Sequence, residues 1–452
     1  MLPSLIEILP LTAPVRAEIT VPGSKSITNR ALVLAALAGG ETTLLGALWS
    51  EDTQVMVECL QELGFMVNVA PDPHEPCNRT ITVYGKGGVV PRGGTAAQPV
   101  ELFVGNAGTA ARFLAAMVCL GSGVYRLHGV PRMHERPQAA LFQALRQLGY
   151  RVDAPSDKLP AVIHGGGPKP GAKGKVSIAE SSQFASALLL SAKVGGWTIE
   201  IAGENADESP YVEMTRQLAA AFPRAGGRFQ IEADASSGSY FWAAGGLFYQ
   251  PAPGPVRDAD TGVRRYETDF LPTIEEQQHR LPVVVREWPN RGWQVDERYP
   301  RYLPPPMRVS RSADLGDSIM TAIVLAPFAQ HLVTFTELGR LRVQECERVV
   351  ALRTELAKCG ATVEEEGDAL TIQPSNLHGA EIETYNDHRM AMCFAILGLK
   401  VPGIKIKNPT CVKKTFPNFF QKLAAPPPHG LGAVILDGAT SRRLSGDELF
   451  AD

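Results

Sequence analysis

GSKSITNRALVLAALA, residues 23–38, opens on a lysine set among glycine and serine and then runs into nearly unbroken alanine, leucine and valine. The same phrase recurs: GNAGTAARFLAAMVCL from Gly105, SSQFASALLLSA from Ser181, DASSGSYFWAAGGL from Asp234, GDSIMTAIVLAPFA from Gly316 and NDHRMAMCFAILGL from Asn386. Recurrence at this scale marks a fold assembled from one repeated unit. Each phrase is apolar on almost every helical face, which places it inside a domain rather than on its surface. Several units continue with an amphipathic helix and a β-rich hairpin, as in VMVECLQELGFMVNVAP, ALFQALRQLGYRVDAP and ALRTELAKCGATVEEEGDALTI. In these, Gly64, Gly149 and Gly360 stand where helix C-caps are expected. The coarse unit is β-α-β-α-β-β. If three buried helices run parallel in each of two domains, their positive N-terminal ends converge and make a site for anions.

The chain of 452 residues, 44% hydrophobic and 20% charged, is long enough for two separate cores. A formal net charge of −3 argues against a general nucleic-acid binder. The seven cysteines, Cys59, Cys77, Cys119, Cys346, Cys359, Cys393 and Cys411, are scattered and never form a CxxC pair. They read as free thiols of a reducing compartment rather than as disulfides or a zinc site. The N-terminal stretch shows no basic leader, and no apolar run reaches the ~18 residues of a spanning helix. A cytoplasmic protein without a membrane span is expected.

The polar turns hold a collection of cations: Lys25, Arg30, Arg112, Arg132, Arg136, Arg342, Arg348, Arg389, Lys413 and Lys414. Each alone reads as a solvated surface charge; together, at comparable turns, they point to a clamp for phosphate and carboxylate. Asp317 lies in the turn before the fifth buried helix, where an acid also simply suits the macrodipole. Glu345 and Arg348, three apart, would share a face on a helix as an ordinary ion pair. An acid among cations stays ionised, as a general base requires. VPGSKS and GNAGTA miss the nucleotide-loop spacings, and no HExxH or GxSxG is present.

VPGSKSITNR, GNAGTAARFLAA, PRMHERP, SSQFASALL, DASSGSYF, RVQECER, YNDHRMAM and VKKTFPNF, in this order, resemble the signature set of the 3-phosphoshikimate 1-carboxyvinyltransferases, the EPSP synthases. The resemblance implies an α/β fold of two domains, each of three β-α-β-α-β-β repeats around buried parallel helices, with the active site in the cleft between them. It implies that residues 23–233 form an inserted domain binding shikimate 3-phosphate. Residues 1–22 and 234–452 would form the phosphoenolpyruvate and catalytic domain; its tail after 423, beginning AAPPPHGLG, reads as mobile or weakly docked. Lys25, Ser26 and Arg30 match the shikimate-3-phosphate turn, and Ser181, Ser182, Gln183 and Ser209 match further contacts to it. Gly108, Arg136, Arg348, Arg389 and Lys414 match the phosphoenolpyruvate clamp, beside which Gln344 stands. Asp317, Glu345 and Lys25 match the proton-transfer positions. The implied reaction gives 5-enolpyruvylshikimate 3-phosphate and phosphate on the way to chorismate and aromatic amino acids. The resemblance further implies a monomer that uses no metal or organic cofactor.

The chain departs from that pattern at four single positions and along one stretch. Gln344 stands where lysine is common, Arg340 where asparagine is, Gly316 where proline precedes the aspartate, and Phe113 where proline follows the arginine. The stretch from about Phe248 to Met307 lacks the family's usual turn; VVVREWPNRGWQV within it predicts a hairpin, with Trp288 and Trp293 packing rather than binding a ligand. The nearest competing family, the enolpyruvyl transferases acting on UDP-N-acetylglucosamine, carries a loop cysteine that PRMHERP lacks. Another acceptor, or an inactive binding homologue, are the remaining alternatives.

Overall fold

The computed structural model describes residues 2–203, 209–249 and 271–451. The chain falls into two compact units: Met1–Val21, Ala235–Trp288 and Val295–Asp452 make the split unit, and Pro22–Asp234 with Pro289–Gln294 make the inserted unit. Helices α1 (Lys25–Leu37), α2 (Glu51–Glu62), α3 (Gly108–Val118), α4 (Pro131–Glu135), α5 (Ala139–Gln147), α6 (Ser182–Gly195) and α7 (Ser209–Ala221) belong to the inserted unit. Helices α8 (Ala235–Phe248), α9 (Ile274–Arg280), α10 (Ile319–Leu325), α11 (Arg348–Lys358), α12 (His388–Gly398) and α13 (Phe419–Ala424) belong to the split unit.

The six phrases are the six buried helices α1, α3, α6, α8, α10 and α12. In the inserted unit α1, α3 and α6 pack on one another, and in the split unit α8, α10 and α12 do the same. Because each helix has neighbours all round, it needs apolar residues all round. Among the described residues, each unit surrounds its three helices with two four-stranded sheets and one strand pair. The unit is plainest between Val100 and Gly166. There Val100–Phe103 pairs in parallel with Ser122–His128, which then meets the antiparallel strands Ala161–Gly166 and Arg151–Asp153. A parallel pair cannot be joined by a tight turn, so its crossover carries α3 into the core. Arg308–Ser310 and Val333–Thr336 repeat the pattern around α10.

The amphipathic helices α2, α5 and α11 end alike, at Gly64, Gly149 and Gly360, whose φ values are 88°, 87° and 88°. After each, the next residue's N–H reaches back to a carbonyl of the last turn, Phe65 to Leu60, Tyr150 to Leu145 and Ala361 to Leu356, at 3.0–3.1 Å. Only glycine enters that left-handed position without strain.

Two expectations are corrected. The tail after Leu423 is docked: Ile435–Asp437 adds a fourth strand beside Leu5–Ile8, and Leu431, Ile435, Leu444 and Leu449 are buried. Burying four large aliphatic side chains offsets the entropy of ordering the segment. The stretch around Trp288 is not a hairpin, because Val283–Val285 pairs in parallel with Ala17–Ile19 and no return strand follows. Instead Pro289–Gln294 joins the inserted unit, where Trp293 stacks on Phe229 at 5.9 Å and Gln294 donates to the Ala233 carbonyl at 2.9 Å. Trp288 stays with the split unit, edge-on to Trp242 at 5.6 Å. Both tryptophans pack, as expected. Residues 250–270 of this atypical stretch lie outside the described residues.

The same stretch accounts for Gly316. A Cβ there would sit 2.7 Å from Val295 Cγ1 and 3.0 Å from Asp296 Oδ2. No side chain fits while Val295 and Asp296 occupy that position. We expect Gly316→Ala to lower stability by about 1–3 kcal/mol, as overpacking does, and Val295→Ala in the same chain to restore part of the loss. Denaturant melts of the single and double variants check this; independent, additive effects would refute the coupling.

Candidate active site

In the split unit, the first turns of α8, α10 and α12 come together. The Ser239 and Thr321 hydroxyls of α8 and α10 meet at 2.9 Å, and Arg389 at the start of α12 reaches Asp317 just before α10. Asp317 takes Arg311 Nη2 on Oδ1 at 3.1 Å and Arg389 Nη2 on Oδ2 at 3.2 Å, with Arg348 Nη1 at 3.9 Å. Burial alone would push the Asp317 carboxyl up; Arg389, Arg311 and Arg348 outweigh it and hold it well below the usual carboxylate range.

Arg348, with its side chain 1% exposed, is the hub. Its Nε lies 2.7 Å from Asp387 Oδ2, its Nη2 2.8 Å from Glu345 Oε2, and its Nη1 donates to Gln344 Oε1. Burial favours losing its proton, but Asp387, Glu345 and Asp317 reverse that and raise its pKa. Lys414 Nζ closes the group at 3.0 Å from Glu345 Oε1. Glu345 lies outside the helix, because α11 begins only at Arg348. The pair is therefore a loop acid drawn onto a buried guanidinium, not two side chains on one helical face. Arg342 points elsewhere, tying its loop to Glu347 at 2.5 Å, Glu365 at 2.8 Å and Asp368 at 3.0 Å.

The inserted unit builds a second cluster from the first turns of α1, α3 and α6. Arg30 donates to Thr215 Oγ1 at 2.8 Å, Ser186 Oγ at 3.1 Å and the Ser26 carbonyl at 2.9 Å, with its guanidinium 5.2 Å over the Phe113 ring. Arg112 reaches Gln183 Oε1 at 2.5 Å and lies 5.3 Å over Phe184. Arg136 donates to the Asn106 carbonyl at 3.2 Å. A Cβ on Gly108 would stand 2.8 Å from Arg112 Nη1 and from Arg136 Cζ, so only glycine lets both guanidiniums approach the start of α3. The Ser181 hydroxyl caps α6 by accepting from Gln183 N at 3.3 Å, and Ser182 is buried beside it.

The two clusters differ in charge. In the split unit the arginines are held by carboxylates; in the inserted unit Arg30 is held by hydroxyls, a carbonyl and a ring face. Lys25 is the exception there, since Asp52 Oδ2 lies 3.4 Å from its Nζ.

The structure thus gathers Asp317, Glu345, Gln344, Arg348, Arg389 and Lys414 in one network, and Ser26, Gly108, Ser181 and Gln183 at the starts of α1, α3 and α6, with Arg30 one turn further along α1 and Arg136 just after α4 reaching the start of α3. Ser209 opens α7, but its side chain lies outside the described residues. Sequence reasoning missed Arg311, Asp387, Asp52 and Asp296. Asp387 had a signal, standing before an arginine at a helix start; it caps α12 by accepting from Arg389 N at 2.8 Å. Asp52 gave no such signal, since an acid in the first turn of a helix, here α2, commonly serves the macrodipole alone. The other two are brought in by tertiary packing.

Comparison with known proteins places the chain in a family. A family profile described as EPSP synthase (3-phosphoshikimate 1-carboxyvinyltransferase) matches residues 11–223 and 219–423. The 3-phosphoshikimate 1-carboxyvinyltransferase of Trichormus variabilis is 38% identical over 442 residues, covering 92% of this chain and 98% of the relative. That of Laribacter hongkongensis is 38% identical over 442 residues, covering 91% and 97%. Among solved structures, an EPSP synthase from Acinetobacter baumannii superposes with a TM-score of 0.67 at 21% identity, covering 96% of this chain and 100% of that one. The enolpyruvyl transferase NikO from Streptomyces tendae superposes with a TM-score of 0.61 at 15% identity, covering 98% and 99%; both likenesses speak to the fold. With the profile spanning most of the sequence and relatives matched along nearly their whole length, the chain belongs to the EPSP synthase family, the 3-phosphoshikimate 1-carboxyvinyltransferases.

Proposed function

We propose that the chain transfers the enolpyruvyl group of phosphoenolpyruvate to the 5-hydroxyl of shikimate 3-phosphate, releasing inorganic phosphate. The observation that carries this reading is the joined network of Asp317, Glu345, Arg348, Arg389 and Lys414, in which these two carboxylates and Asp387 sit among four cations counting Arg311. In this reading Arg348, Arg389 and Lys414, with Gly108, Arg136 and Gln344, receive the donor's carboxylate and phosphate. Lys25, Ser26, Arg30, Ser181, Ser182, Gln183 and Ser209 receive the phosphorylated acceptor.

The chemistry needs proton transfers in both directions. Addition takes a proton from the 5-hydroxyl and places one on the donor's methylene carbon, forming a C–O bond and a tetrahedral intermediate. Elimination then breaks the C–O bond to phosphate and removes a proton from the new methyl group. Asp317 and Glu345, with Lys25, are the groups assigned to these transfers. The arginines stabilise charge on the departing phosphate. The seven free cysteines, six of them buried, support placing the protein in a reducing cytoplasm, where we read the working unit as a monomer.

The test is direct. The full chain, given both substrates, is expected to release one phosphate per molecule of 5-enolpyruvylshikimate 3-phosphate seen by NMR. Phosphate release only with a different alcohol acceptor would move the assignment within the transferases, and no release with any acceptor would leave a binding homologue.

A further inference from the structure

Asp296 comes from the atypical stretch rather than from any motif that carries the family resemblance, and it is 5% exposed. Its Oδ1 accepts from Ser318 N at 2.9 Å and from Ser318 Oγ at 2.5 Å; its Oδ2 accepts from Ser236 Oγ at 2.5 Å. No ion pair is formed by it among the described residues. A buried carboxylate outside any ion pair is costly, and the three hydrogen bonds it accepts offset part of that cost. Burial, and then the nearby Asp317, push its carboxyl up, while the two serine hydroxyls and then Arg389 act against that.

What these bonds hold is the loop that presents Asp317. Ser318, the residue after it, is gripped at both its backbone N–H and its hydroxyl. Gly316, the residue before it, lies so close that a Cβ would stand 3.0 and 3.1 Å from the two carboxylate oxygens. Ser236 belongs to the first turn of α8, so the same carboxylate ties that turn to the start of α10. We infer that Asp296 is the positioning residue for Asp317: it fixes both chain neighbours of that acid, so that the Asp317 carboxylate meets Arg311 and Arg389 and faces the reacting hydroxyl. The inference rests on the proton-transfer role proposed for Asp317.

Asp296→Ala in the full chain should lower kcat at least about a hundredfold, since misplacing a catalytic group by roughly 1 Å costs that much. KM for both substrates should stay within about threefold, because the binding cations are untouched. Asp296→Asn should recover kcat to within about tenfold of the parent, since its oxygen can still accept from Ser318 and its amide can donate to Ser236 Oγ. A buried carboxylate with only a structural role would lower the melting temperature without splitting kcat from KM. A folded Asp296→Ala with kcat within threefold of the parent, or an Asn variant no better than Ala, overturns the inference. Should Asp296→Ala not fold, the gentler pair Ser236→Ala with Ser318→Ala decides, leaving Asp296 only its backbone bond. That chain should lose at least about tenfold in kcat at unchanged KM, and parental kcat refutes the role. The parallel variant Asp317→Asn separates the two claims: if it too keeps turnover, the acid–base assignment fails, and if it alone is inactive, only the positioning role does.

Discussion

Asp317→Asn is expected to bind both substrates and to turn them over between about a hundred and ten thousand times more slowly than the parent chain. A positioned acid or base contributes a factor of that size, roughly 3–5 kcal/mol of barrier. The amide keeps the shape of the side chain and can still accept from Arg311, but it cannot take up the hydroxyl proton. Binding should survive and even tighten for the anionic donor, because Arg311, Arg348 and Arg389 lose a competing negative charge. Single-turnover quench experiments measure the first effect and ligand titration the second. Near-normal turnover at unchanged affinity would remove Asp317 from the chemistry.

The charge environment adds a pH signature. Held well below the usual carboxylate range by three guanidiniums, Asp317 is a weak base in the ligand-free protein. A donor whose carboxylate and phosphate engage Arg348 and Arg389 shares those cations and returns proton affinity to Asp317. The acid limb should therefore lie at higher pH in kcat than in kcat/KM, and should vanish from kcat in the Asn variant. The sign for stability runs separately. A depressed folded value means that the contribution of Asp317 is fully present above the unfolded carboxylate value, about 4, and is lost only as pH falls below it.

How much of this could be read beforehand follows from range. The six buried helices were legible because a polar first turn and an apolar run are local, and the glycines at 64, 149 and 360 marked ends for the same reason. Asp317 and Arg389 were legible because they sit at the starts of α10 and α12, whereas Glu345, Arg348 and Lys414 were legible only through the short motifs that hold them. Whether Glu345 and Arg348 share a helix stayed open in the sequence because spacing alone cannot tell a helix start from the loop before it; the chain turns helical only at Arg348. The parallel pairing of Val283–Val285 with Ala17–Ile19 joins strands more than 260 residues apart, and no turn residue announces such a pairing. The tail looked loose because its proline-rich start resembles a linker, while the apolar residues that dock it are spread thinly from Leu431 to Leu449. Asp296 was hidden because its partners, Ser236 and Ser318, are distant in sequence and unremarkable in type.

Arg30→Met is expected to weaken binding of the phosphorylated acceptor by roughly thirtyfold to several thousandfold, about 2–5 kcal/mol, while leaving the fold as stable as before or more so. The two halves have one cause. Arg30 is a buried cation whose partners among the described residues are hydroxyls, a carbonyl and the Phe113 ring, and burial lowers its pKa to about 10. A lowered value on a basic group means that its charge opposes folding at neutral pH and that the penalty is relieved only as pH rises above about 10. A protein keeps such a charge where an arriving anion repays the desolvation. Methionine fills similar space on Phe113, and neither hydroxyl is orphaned, since Thr215 Oγ1 donates to the Tyr211 carbonyl and accepts from the Ser186 hydroxyl, each at 2.8 Å. Lysine would be a poorer control, because it cannot reproduce the planar fork that reaches both hydroxyls. Calorimetric titration with shikimate 3-phosphate and a denaturant melt measure the two halves. Acceptor binding within threefold of the parent would show that the uncompensated cation serves the fold, and the phosphate would then have to be assigned to other groups.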